Sequence, residues 1–282
     1  MKLLAHERAV VFEYIYSISA IALEDSKDYL VEGRLSALSE SIGARSFADL
    51  VQKAKADSSG SVKRRLIDGI TTGETLFFRD SSPFELLRNK LIPELIDRRS
   101  RSLLKPPIRI WSAACSTGQE LYSISILLRD LLGDPHRYNF RLLGTDLSDE
   151  AVARASTGYY NSIEMGRGLS DELRERNFKS DAKGWRICDE VRSLASFRRL
   201  NLMDDLSSLG KFDIIFCRNV AIYFNEKDRV SLFNRLAQRL EPHGSLLLGS
   251  MESLGNLCPQ FESQRHLRAA YYQLKQGKAL AA

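Results

Sequence analysis

The sequence predicts a doubly wound α/β protein, with a mostly parallel sheet whose last strand returns antiparallel, preceded by a small all-α domain. Three observations predict it. Residues 1 to about 70 carry apolar positions at helical spacing. From about Ile108 short apolar runs alternate with helix-like stretches, the pattern of a parallel sheet covered on both faces. The tail instead holds two strand-like runs with no long helix between them, which suits an antiparallel return.

In the N-terminal region Val11, Ile15 and Ile18, then Phe47, Leu50 and Val51, mark helix faces. A helix is also expected over Asp28 to Glu40, and a third helix near Val62 to Ile70 ends at Thr71-Thr72-Gly73. Gly33, Gly43 and the cluster Asp57-Ser58-Ser59-Gly60 punctuate these segments. Residues 71–107 read as a linker that also forms a lid, and 108–282 as the sheet domain. Its strands are expected at Ile108 to Trp111, Phe140 to Thr145 and Phe212 to Cys217, the last predominantly apolar as a central parallel strand should be. Helices over 119–132, 148–156 and 226–240 follow them. Gly158 to Arg199 holds a helix over 170–178, then Trp185 to Ile187 and Ser196 to Leu200 as strands. This stretch reads as a small β insertion near 179–200 together with the remaining core strand. Ser245 to Ser250 and Ala269 to Leu274 complete the sheet.

The hydrophobic fraction of 44% and charged fraction of 27% belong to an ordinary globular protein. The longest apolar helix, Leu121 to Leu132, is interrupted by Arg129 and Asp130, so no membrane insertion is expected. Met1 to Val11 carries charges throughout and does not resemble a secretory signal. Cys115, Cys188, Cys217 and Cys258 form no C-x-x-C pair; Cys115 and Cys217 adjoin strands, where free buried thiols are expected. A cytoplasmic location follows as the default. The net charge of +5, from 41 basic and 36 acidic side chains, is too mild to choose between a nucleic acid and an acidic protein as partner.

Open α/β sheets bind ligands at the carboxyl ends of their strands, and three features fall there. The first is the small-residue loop Ala113-Ala114-Cys115-Ser116-Thr117-Gly118-Gln119-Glu120, which lets a ligand approach the backbone and a helix N-terminus. It is neither G-x-G-x-x-G nor a Walker loop, which favours a cofactor that presents an amino acid here rather than a pyrophosphate. Glu120 has two open readings: a cofactor contact, or the closing acid of a capping box begun by Thr117. The second feature is Asp146, placed to accept hydrogen bonds from both ribose hydroxyls; Ser148 is the better cap for the helix that follows. In the third, Cys217-Arg218-Asn219-Val220-Ala221-Ile222-Tyr223-Phe224, Arg218 and Asn219 break an apolar strand where it emerges over the ligand. No metal-ligand spacing and no Ser-His-Asp order stands out, so metal and hydrolytic chemistry have little support.

Thr71-Thr72-Gly73-Glu74-Thr75-Leu76-Phe77-Phe78-Arg79 resembles the T-T-N-x-T-x-F-F-R segment of the chemotaxis receptor methyltransferases, the CheR family. Trp111 to Ser123 is similar to that family's W-S-A-A-x-S-T-G-E-E-P-Y-S loop, and Asp213 to Phe224 to its D-x-I-F-C-R-N-V-x-I-Y-F block. The antiparallel tail is also how the seven-stranded S-adenosylmethionine methyltransferase fold ends. The resemblance implies methylation of glutamate side chains in the cytoplasmic helices of chemoreceptors, with S-adenosyl-L-methionine as methyl donor. Carried over by position, Thr75, Arg79, Glu120, Asp146, Asn201 with Leu202, and Arg218 with Asn219 would contact the cofactor. Arg79 and Tyr223 would also face the methyl group and the incoming carboxylate.

This sequence departs from the family pattern in several places. Gly73 replaces an Asn and removes one side-chain contact to the cofactor, while Gln119 and Leu121 replace Glu and Pro in the loop. Residues 1–70 hold 10 basic and 10 acidic side chains, so the receptor-docking helices, Arg34 included, are less basic than the resemblance implies. Lys53, Lys55, Lys63, Arg64 and Arg65 read either as another patch or as a solvated face. The turn at Lys179 to Gly184 is short where relatives that grip a receptor's C-terminal pentapeptide have a longer one; docking without the pentapeptide, by a monomer, is expected. Two rival readings remain at this level: an RNA or small-molecule methyltransferase, and a non-catalytic module that kept the fold. A nicotinamide oxidoreductase is disfavoured by the missing glycine fingerprint. RNA binding would call for interleaved aromatic and basic residues on one face, which the sequence lacks, so no nucleic-acid partner is expected.

Overall fold

Four helices form the N-terminal region: α1 (Ala5–Ser19), α2 (Asp28–Ser41), α3 (Phe47–Ala56) and α4 (Ser61–Ile70). The helix expected third is therefore the fourth, because residues 28–41 and 47–56 make separate helices on either side of the left-handed Gly43. Ser46 caps α3 by accepting from the Asp49 N–H, one of the donors a helix start leaves unpaired. Val11, Ile15, Val31, Leu35, Phe47, Leu50 and Leu66 meet in one core, each almost fully buried. Each such side chain contributes about 1.5–3 kcal/mol through removal from water.

The structure, a computed structural model, describes residues 1–104 and 106–275; the domain expected over 108–282 is thus described as far as 275. Much of the expected linker is not a linker. Residues 81–100 are continuously helical, as α5 (Ser81–Leu86), a π-helical turn (Leu87–Leu91) and α6 (Ile92–Ser100). Phe84, Leu87, Leu91 and Ile92 pack into the main core against Ile110, Ile124 and Phe216.

The main sheet has seven strands: β1 (Ile108–Ala113), β2 (Phe140–Asp146), β6 (Ala195–Arg199), β7 (Phe212–Cys217), β8 (Leu240–Leu248), β9 (Phe261–His266) and β10 (Ala269–Leu274). Their order is β6-β2-β1-β7-β8-β10-β9. All neighbours pair parallel except β10, which runs antiparallel to both β8 and β9. The strand order reverses between β1 and β7, so their carboxyl ends open a crevice. α7 (Gln119–Leu132) covers one face; α12 (Glu226–Arg239) covers the β7–β8 end of the other through Leu232, Phe233 and Leu236. β7 is buried at every position, which explains why it is apolar apart from Asp213, whose carboxylate pairs with Arg99 and accepts the Arg109 N–H. Trp111, fully buried, spends its one polar atom on a bond from Nε1 to Thr145 Oγ1 at 2.9 Å.

The expected insertion near 179–200 is shifted. A separate three-stranded sheet joins β3 (Tyr159–Tyr160), β5 (Gly184–Ile187) and β4 (Phe178–Asp181), so it starts before residue 179 and ends at 187. The strand at 195–199 is the remaining strand of the main sheet, as expected; it pairs with β2 and forms the sheet's edge. Short helices α8 (Asp149–Thr157), α9 (Ser162–Met165), α10 (Asp171–Asn177) and α11 (Asp189–Arg192) complete this region. Ser148 caps α8 as expected.

Candidate active site

A cavity of about 410 Å³ opens over the carboxyl ends of β1, β2, β6 and β7. Thr75, Arg79, Glu120, Asp146, Asn201, Leu202, Arg218, Asn219 and Tyr223 all line it, although they come from five separate stretches of chain. Gly73 does not. Its carbonyl accepts the Ser116 hydroxyl at 2.9 Å, which ties the 71–75 segment to the loop after β1.

That loop depends on backbone that few residues adopt. Ala114 and Ser116 sit at φ 61° and 50°, and Gly118 at 93° begins α7. Left-handed backbone costs of order 1 kcal/mol or more outside glycine, so the surrounding bonds must hold it in place. Asp146 supplies one of them: its Oδ2 accepts the Ser116 N–H at 2.8 Å, and its Oδ1 accepts the Ser148 N–H at 3.0 Å. Burial raises the Asp146 pKa, a push only partly offset by these amide bonds. The carboxylate lies in the cavity wall, where its hydrogen-bond partners among the described residues are backbone N–H groups.

The capping-box reading of Glu120 is not realised. The Thr117 hydroxyl bonds to the Gln119 side chain at 2.7 Å, and glycine occupies the cap. Glu120 turns the other way. It accepts from the Ser112 hydroxyl at 2.7 Å and from Arg218 Nη1 at 2.9 Å. Arg218, whose side chain is only 2% exposed, also binds Asp80 at 2.7 Å and the Arg79 carbonyl at 2.6 Å, and its Nε has no partner. One buried cation thus holds together α7, the end of β7 and the 78–80 turn. In that turn Phe78 and Asp80 are left-handed, and the Phe78 N–H donates to the Ser123 hydroxyl at 2.9 Å. Arg79 itself is uncommitted. Its guanidinium makes one bond, to the Glu74 carbonyl at 3.2 Å, and no ion pair among the described residues.

Two contributors escaped the sequence. The connector between α1 and α2 forms part of the cavity wall through Ile21, Leu23, Glu24 and Lys27. It is joined to the opposite side by a bond from the Ala22 N–H to the Tyr223 carbonyl at 2.9 Å. No periodicity or motif in residues 19–27 signals this role. The second is Glu252, which accepts backbone N–H groups from Asn219 at 2.6 Å, Gly249 at 2.9 Å and Ala221 at 3.0 Å. Asn219 is left-handed at φ 57°, and a Cβ on Gly249 would lie 2.7 Å from the Glu252 carboxylate, so a larger residue there would displace the Glu252 and Asn219 side chains. An acid shortly after a strand that ends in small residues was a signal here, as it was at Gly144-Thr145-Asp146.

The geometry agrees with comparisons to known proteins. Residues 7–71 match the family described as "CheR methyltransferase, all-alpha domain", and residues 73–269 the one described as "CheR methyltransferase, SAM binding domain". The protein "Chemotaxis protein methyltransferase Cher2" of Pseudomonas putida is 40% identical over 267 residues, covering 93% of this chain and 95% of that one. "Chemotaxis protein methyltransferase 1" of Pseudomonas aeruginosa is 41% identical over 256 residues, covering 88% and 90%. "Chemotaxis protein methyltransferase" of Vibrio parahaemolyticus is 41% identical over 265 residues, covering 93% and 94%. With both domain families matched in order, and relatives of this identity aligned along nearly their whole length, the chain belongs to the CheR methyltransferase family.

Proposed function

We propose that this protein transfers the methyl group of S-adenosylmethionine to glutamate side chains in the cytoplasmic helices of chemoreceptors, forming γ-methyl esters. The observation that carries this reading is one cavity shared by a buried acid at the end of β2, Asp146, and a guanidinium with a single carbonyl bond, Arg79. The residues fit the cofactor. Asp146 offers two oxygens to the ribose hydroxyls, and Leu202 and Leu200 give an apolar surface for the adenine. Glu120 and the unpartnered Arg218 Nε match the charges of the cofactor's amino-acid end, and Thr75, Asn201 and Asn219 add polar contacts. Gly73, outside the wall, contributes only its carbonyl bond to Ser116.

When bound, the cofactor supplies a methyl group on a sulfonium, an electrophilic carbon. A carboxylate is already a nucleophile at neutral pH, so the chain needs no general base. Its task is to hold the acceptor oxygen in line and keep water out. Arg79 orients the carboxylate, and Tyr223, half-buried in the opposite wall, fixes its approach. Charge is neutralised in the transfer, so a second tight cation on the acceptor would stabilise the ground state and slow the step. Arg218 is kept from that role by Glu120 and Asp80.

The chain acts as a cytoplasmic monomer in this reading, and no helix among the described residues is long and apolar enough to cross a membrane. Docking does not use the receptor's C-terminal pentapeptide. In support, β4 and β5 are joined by only Ala182 and Lys183, a turn too short to form a separate peptide groove. Incubation with radiolabelled cofactor and receptor cytoplasmic fragments tests the whole proposal. Label should enter the fragment, leave on mild base as methanol, and transfer equally to fragments lacking the pentapeptide. Label that resists base, or none at all, would overturn the reading.

A further inference from the structure

A second hollow, about 330 Å³, lies at the opposite end of the sheet from the cofactor cavity, against the first halves of β1 and β2 and the start of β6. It exists because the crossover from β6 to β7 carries a single 3₁₀ turn (Ser207–Leu209) and no α-helix. The face that β1, β2 and β6 turn away from α7 is therefore left open around Arg109, Arg141 and Arg198, while Trp111 and Ala113 further along it are buried. Three arginines project from this face: Arg109, Arg141 and Arg198. The register sets Arg109 directly beside Arg141, and Arg198 beside Thr145 four residues further along β2. Like charges side by side on neighbouring strands repel. No residue that lines the hollow is acidic, and none of the three arginines makes an ion pair among the described residues.

The arginines differ in freedom. Arg109 is fixed, with Nη1 on the Lys211 carbonyl at 2.9 Å, Nη2 on the Leu209 carbonyl at 2.7 Å, and its guanidinium stacked 4.4 Å from the Phe212 ring. Arg141 makes one long bond, 3.4 Å, to its neighbour's carbonyl, and Arg198 makes none among the described residues. One anchored and two uncommitted guanidiniums around a hollow, with the Ser208 hydroxyl on the rim, form a donor set for an oxyanion with several oxygens. A solvated face would need neither the concavity nor two arginines in register.

We infer that this hollow is a second binding site, separate from the cofactor cavity, for the polyphosphate group of a small anion, held chiefly by Arg141 and Arg198. The group can come from a free polyphosphate or from a nucleotide, and two probes distinguish them. Calorimetry on the full chain would use inorganic tripolyphosphate and GTP, with S-adenosylhomocysteine saturating the cofactor cavity. Both probes should show saturable one-site binding, and a double variant Arg141→Glu/Arg198→Glu should weaken it at least tenfold. That variant should keep wild-type thermal unfolding and affinity for S-adenosylhomocysteine. GTP binding tighter than tripolyphosphate supports a nucleotide; equal binding supports a free polyphosphate. Absence of saturation by either probe overturns the site, as does wild-type binding by the double variant. Binding of polyglutamate in place of both phosphate probes also overturns it, because it marks a protein-docking face.

Discussion

Glu252 holds Asn219 in left-handed backbone through a 2.6 Å bond from the Asn219 N–H, while its two other backbone bonds reach Ala221 and Gly249. Loops on two strand ends are thereby joined at the cavity rim. Glu252→Gln keeps the shape but turns one end of the side chain into a donor facing an N–H. The expected cost is about 1–3 kcal/mol of local stability, felt as roughly tenfold weaker cofactor affinity. Calorimetry with S-adenosylhomocysteine reads it, and unchanged affinity would show that the rim holds without Glu252.

Arg218 neutralises Glu120 and Asp80 inside the protein. Arg218→Met leaves Glu120, 13% exposed, without its cation. Stranding a buried charge costs about 3–5 kcal/mol; the lower end applies, since Asp80 is 34% exposed. Thermal unfolding should fall by roughly 10 °C.

Arg79 has one carbonyl bond to lose, so Arg79→Ala should leave the unfolding temperature nearly unchanged. Methyl transfer to a receptor fragment should drop about a hundredfold, as expected when the attacking group is no longer aligned. Wild-type turnover would remove Arg79 from the reaction.

Cofactor binding should weaken at acidic pH. Burial raises the Asp146 pKa, so its carboxylate protonates above the usual aspartate range and loses an acceptor for the diol. The stability sign is opposite. A raised acid contributes its stabilising share at low pH, and that share is lost as pH rises through the folded pKa. Affinity for S-adenosylhomocysteine measured across acidic pH should fall in wild type and stay flat, but about 10- to 100-fold weaker, in Asp146→Asn.

The Tyr16 hydroxyl donates to Asp228 at 2.6 Å and fastens α1 to α12 beside the Ala22–Tyr223 bond. Tyr16→Phe should cost about 1 kcal/mol and raise the cofactor dissociation constant a few-fold, since the connector wall is then less firmly held. Loss of stability without any change in affinity would separate the two.

What the sequence revealed and what it hid have physical reasons. The strand at 212 was legible because burial on both faces writes an apolar run, and those at 108 and 140 because only a single arginine interrupts each; the acid at 146 was legible because it ends such a strand. Arg218 was visible for the same reason, as a charge at the end of a buried strand. The helix over 81–100 was not. Pro83 and Pro93 weaken its propensity signal, yet Pro83 sits in a first turn whose N–H needs no partner, and Pro93 follows the π-helical turn. Glu120 was ambiguous because a capping box and a buried ion pair share the same spacing; only the position of Arg218, 98 residues away, decides between them. The wall formed by residues 21–27 left no local mark at all, since it arises from packing between distant segments.

That wall sets a rule for rebuilding this enzyme. A designer who exchanges the four-helix region to redirect target choice would also remove Ile21, Leu23 and Lys27 from the wall of the cavity. A chimera would retain transferase activity only if the graft preserves the stretch from Ser19 to Leu30, so recognition and chemistry in this chain are not interchangeable modules.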